Sequence, residues 1–78
     1  MSFRILFNEN KKNEYLFEVF NKNKNLVYQK DISKKIGINE KNFSKIINGN
    51  KNVSVKTARK MLDLIDDNEI KNFFIIEE

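Results

Sequence analysis

Tyr15, Leu16, Val19 and Phe20 recur at i, i+1, i+4 and i+5, the spacing of one stripe on a helix, and predict a helix over about residues 10–20. Phe17 falls off that stripe. The polar run Asn21 to Asn25 then interrupts the pattern at loop length. From Gln29 the apolar positions return as Ile32 and Ile36, one helical turn apart, with the small Ser33 beside Ile32. Gly37 follows at once, where a helix end calls for a residue that tolerates the left-handed conformation. Asn39 supplies an N-cap side chain for a next helix, on which Phe43 and Ile46 point inward. Asn48-Gly49 is a second helix-ending signal, and Asn50, Lys51 and Asn52 read as a polar loop. Ser54 then caps a further helix, with Val53 and Ala58 at the spacing of a hydrophobic staple. Its stripe is Ala58, Met61, Leu62 and Ile65, closed by Asp66-Asp67-Asn68.

Two short runs rich in Phe and Ile stand at the ends, Ser2 to Phe7 and Asn72 to Ile76. Their composition is that of strands, and pairing them antiparallel gives each a partner. The rival reading makes residues 68–76 a fifth helix with Ile70, Phe73 and Phe74 inward. Periodicity does not separate the two over so short a run.

With 78 residues the chain is read as a single domain over 1–78. A chain this short buries only about 60% of the surface its unfolded form exposes, so a partner or second copy is expected to support it. It has no Cys and no His, which removes disulfides, His or Cys zinc sites and the Ser-His and Cys-His nucleophile pairs. No Gly-rich phosphate loop is available either, so the expectation is a non-enzyme without a cofactor or metal. Asp66 and Asp67 read as helix-ending polar residues rather than an acid-base pair. Met1 to Phe7 is too short for the core of a secretion signal, and no apolar run approaches the roughly 18 residues of a membrane span. With the absence of Cys, this points to the cytoplasm and away from membranes.

Charge changes the picture more than composition does. Residues 11–60 carry thirteen Lys or Arg against four acids, or +9, whereas residues 61–78 carry Lys71 against six acids, or −5. A cationic middle is drawn to polyanions, of which nucleic acid is the commonest. Thirteen Lys, thirteen Asn and ten Ile also fit a coding sequence biased toward A and T, so charge by itself decides nothing.

Two helices joined by a tight Gly-containing turn describe a helix-turn-helix. Ser33 is small where the second helix crosses the first, and Ile32, Ile36, Ile38, Phe43 and Ile46 turn inward together. The stretch QKDISKKIGINEKNFSKIING, Gln29 to Gly49, resembles the Cro and phage-repressor (Xre-type) helix-turn-helix family. The likeness rests on a Gln opening the first helix, an apolar-small pair, an apolar-Gly-apolar turn and a second helix ending in Asn-Gly. It extends over about residues 10–65 and implies a mainly α, four-helix, lambda-repressor-like core. Ser33 stands where the family usually has Ala, Ile47 where it often has a polar residue, and Val53 where many members have Pro.

The resemblance makes Glu40, Lys41, Asn42, Ser44 and Lys45 the outer face of a recognition helix. Base edges would be read by Glu40, Lys41 and Lys45: Lys donates to guanine O6 and N7, and Glu accepts from the cytosine amino group. Gln29, Asn42, Ser44, Asn48, Lys51 and Asn52 are the candidates for the phosphate backbone. The plainer alternative has the lysines solvating a surface and Glu40 stabilising the helix N-terminus. Phe73, Phe74, Ile75 and Ile76 are many consecutive apolar residues for a small monomer's surface and are the candidate dimer interface. The implied function is a dimeric, sequence-specific double-stranded DNA-binding transcriptional regulator, a repressor of the Cro or antitoxin kind. The alternative keeps the helix-turn-helix as a scaffold for a protein partner, as in a phage-encoded inhibitor of a host nuclease or polymerase.

Overall fold

The computed structural model describes residues 3–78. Four α-helices lie between two terminal strands: β1 (Arg4–Phe7), α1 (Lys12–Lys22), α2 (Gln29–Ile36), α3 (Glu40–Ile47), β2 (Asn52–Val53), α4 (Val55–Asp63) and β3 (Phe74–Glu77). Short 3-10 turns at Glu9–Lys11 and Ile70–Asn72 lead into α1 and β3. The fold is mainly α, with a small antiparallel sheet closing one side.

The sheet order is β2-β1-β3. β3 runs antiparallel to β1 with Arg4 opposite Glu77, Ile5 opposite Ile76, Leu6 opposite Ile75 and Phe7 opposite Phe74. The pairing of the two ends is therefore real, and the fifth-helix alternative is overturned. A helix over 68–76 would have left β1 with only the two-residue β2 as partner. The Asn50–Asn52 loop is shorter than its composition suggests, because Asn52 already pairs with Leu6, and Val53 with Ile5.

Alternation along the strands explains which ends are buried. Ile5, Phe7, Val53 and Phe74 face the helices and are buried. Phe7, Tyr15, Phe73 and Phe74 form an aromatic cluster, with edge-on contacts at 5.4 Å (Phe7–Tyr15), 5.8 Å (Tyr15–Phe73) and 5.3 Å (Phe7–Phe74). Phe73 and Phe74, each 3% exposed, are thus interior residues rather than dimer-interface candidates. Only Ile75 and Ile76 of that run remain on the surface, at 47% and 43%.

The helices arise where local signals place them. Tyr15 and Val19 carry the inward stripe of α1, while Phe17 stands in solvent. The Tyr15 hydroxyl donates to the Met61 carbonyl at 2.9 Å, joining α1 to α4 inside the core. The Asn23 side-chain amide donates to Val19 O and Leu64 O, at 2.9 and 2.8 Å, and so caps the C-terminal ends of α1 and α4 together. At the end of α4, Asp66 takes the left-handed conformation (φ 56°) that short polar side chains tolerate. No helix among the described residues is long and apolar enough to cross a membrane.

Candidate nucleic-acid interface

The three residues between α2 and α3 set the geometry of the site. Gly37 adopts φ 84°, and its N–H and that of Ile38 both donate to the Ser33 carbonyl, at 2.9 and 3.0 Å. A side chain at Gly37 would strain this left-handed turn. Ser33 is buried, and its hydroxyl donates to Lys30 O at 2.9 Å, which satisfies the one polar group at the helix crossing. Asn39 then caps α3 through its Oδ1, which accepts from the Asn42 N–H at 2.7 Å.

α3 is anchored by Phe43, Ile46 and Ile47, all buried. Ile47 packs in the core. Glu40, Lys41 and Lys45 are exposed, and Asn42 and Ser44 half-buried beside them, so these five candidates do share the accessible side of one helix. The only ion pair among the described residues joins Arg4 to Glu77, at the sheet. Lys41 and Lys45 therefore present their full charge to solvent.

Asn48 is tied into the protein on both sides. Its Oδ1 accepts from the Lys12 ammonium at 2.9 Å and its Nδ2 donates to Ser44 O at 2.9 Å. Both polar ends are engaged inside the protein, so Asn48 helps to close α3, while its second amide N–H takes no part in these bonds. The Lys51 ammonium reaches back to Asn42 Oδ1 at 3.3 Å and stays exposed on the α3 side. Asn52 keeps an exposed side chain, on a strand instead of a loop. Gln29, half-buried, opens α2 as expected. Just before it, the Asp31 carboxylate accepts the N–H groups of Val27 and Tyr28, each at 2.9 Å. Those two bonds, first Val27 and then Tyr28, hold Asp31 below the usual carboxylate range, with smaller help from Lys30 and Lys34.

Two features of the site are absent from the sequence pattern. Lys12, from α1, ties down the end of α3, and Lys60, from α4, stands over the α2–α3 turn: a Cβ placed on Gly37 would lie 4.0 Å from its Nζ. Both are contacts between helices distant in the chain, and no local spacing announces them.

Comparison of the chain with protein-family models, with curated proteins and with solved structures returned no match.

Proposed function

We propose that the protein is a sequence-specific double-stranded DNA-binding regulator, a repressor of the Cro or antitoxin kind, that acts as a dimer. The observation that carries this reading is α3 itself. Its apolar side is locked into the core through Phe43, Ile46 and Ile47, and its other side offers Glu40, Lys41 and Lys45 with no ion-pair partner among the described residues. A helix held this way fits the major groove, where Lys reads guanine and Glu reads cytosine. Asn42 and Ser44 on α3, Lys51 bonded to Asn42, and Asn52 and Gln29 are the groups we assign to the phosphate backbone.

We assign the dimer contact to β3, which pairs with β1 along one edge and has no strand on the other among the described residues, with Ile75 and Ile76 half-exposed there. Ile76 lies opposite the buried Ile5, on the sheet face that carries the core, and is still 43% exposed. A second copy paired across this edge covers that corner and gives a twofold arrangement suited to half-sites about 34 Å apart.

The test is Lys45→Ala on a duplex obtained by selection from random sequence. Loss of one base contact costs about 1–3 kcal/mol of discrimination between the selected duplex and a mismatched one. Unchanged discrimination rejects the assignment of Lys45.

A second reading, a helix-turn-helix scaffold that docks on a protein, is favoured by Phe17, which is 70% exposed on α1. A pull-down from nuclease-treated lysate separates the readings, since a protein partner persists without DNA.

A further inference from the structure

We infer that the outer stripe of α4, formed by Lys56, Arg59 and Lys60, is a second phosphate-binding track that holds the duplex strand bordering the groove occupied by α3. The inference rests on the reading of α3 as the DNA-reading helix. Lys56, Arg59 and Lys60 stand at i, i+3 and i+4 and are all exposed, on the side of α4 away from its buried Ala58, Met61 and Leu62. Like charges one turn apart destabilise a helix and Lys56 in the first turn opposes the helix dipole, so although Lys60 suits the last turn, the stability of α4 does not account for the whole stripe. Asp63 lies on the same side one turn further on, yet none of the three cations is ion-paired to it or to any other carboxylate among the described residues.

Position connects the stripe to the site. The Lys60 ammonium overhangs Gly37, the first residue of the turn that leads into Glu40 and Lys41. Lys41 is four residues beyond Gly37, a reach of at most about 14 Å even for extended chain. The major groove is about 12 Å wide, so with the first turn of α3 inside it, the phosphates of its rim lie within range of Lys60. Lys56 and Arg59 continue the positive charge along α4 from that point. The partner is the sugar-phosphate backbone and not the bases, because long flexible cations reached from outside the groove neutralise phosphates without reading sequence. An acidic protein surface is the competing partner for the same charges.

The experiment is the salt dependence of binding to a selected duplex, measured for the full chain and for the triple variant Lys56→Gln, Arg59→Gln, Lys60→Gln. Each phosphate contact contributes about 0.9 to the slope of log K against log salt, so the triple variant is expected to lower the slope by about 2.7. Between 50 and 200 mM salt the wild type should then lose about 40-fold more affinity than the variant. The enriched base sequence should stay the same, and restoring charge with Lys56→Arg, Arg59→Lys, Lys60→Arg should restore the slope. A variant that keeps the wild-type slope on the duplex overturns the inference while leaving the role of α3 standing. Loss of an acidic protein partner with DNA binding unchanged overturns it too. A wild type with no salt-dependent duplex binding overturns both this inference and the reading it rests on.

Discussion

The Lys12 ammonium donates to the side-chain oxygen of Asn48 at 2.9 Å, tying the start of α1 to the end of α3 across 36 residues of sequence. With the bond from Asn48 Nδ2 to Ser44 O, it fixes the last turn of the helix that carries Lys41 and Lys45. Asn48→Ala removes both bonds and leaves a part-buried ammonium and a carbonyl without them, at a cost of about 1–2 kcal/mol. A domain of this size then melts roughly 4–8 °C lower per kcal/mol. Thermal melts check this.

Tyr15→Phe tests the core bond to Met61. The carbonyl it leaves behind is buried, so a loss of about 1–3 kcal/mol is expected in urea unfolding. Burial also pushes the Tyr15 phenol well above the ordinary tyrosine value of 10.0. The folded state therefore keeps a proton that the unfolded chain releases, and this contribution is constant below about pH 10 and falls as pH rises above it. The difference in stability between wild type and Tyr15→Phe should shrink above pH 10.

Asp31 works in the opposite direction. Because the N–H groups of Val27 and Tyr28 hold its carboxyl below the usual range, its contribution is present above the unfolded Asp value of about 3.9 and is lost as pH falls through the lower folded value. Urea midpoints of wild type and Asp31→Asn should differ at pH 6 and converge on acidification below pH 4. A constant gap would contradict the assignment.

The C-terminal apolar run divides by function. Phe73→Ala opens a cavity in the aromatic cluster and should cost about 3–5 kcal/mol, a large share of the stability of so small a domain. Ile75→Lys with Ile76→Lys should leave the monomer folded and abolish the proposed dimer, as read by sedimentation equilibrium with circular dichroism as the control.

That division shows where the sequence was legible. Asn39 and Ser54 cap their helices through bonds to residues three positions on, and Gly37 ends α2 through its own backbone, so these elements could be read locally. The stripe Ala58, Met61 and Leu62 was equally plain, because helical periodicity is a local property. Phe73 and Phe74 were misplaced because burial in a strand depends on what covers the sheet, and their cover comes from Tyr15, far away in the chain. Asn52 was taken for loop because its strand exists only through Leu6. The internal bonds of Asn48 and the position of Lys60 are not legible for the same reason: one is bonded by Lys12 and the other stands by the turn at Gly37, and neither partner is near in sequence.

The central claim is that α3 reads duplex DNA, and a binding selection of the full chain on random duplexes tests it most directly. The account predicts one enriched motif with two half-sites about 10 base pairs apart, centre to centre. Recovery of duplexes with no shared motif would contradict it.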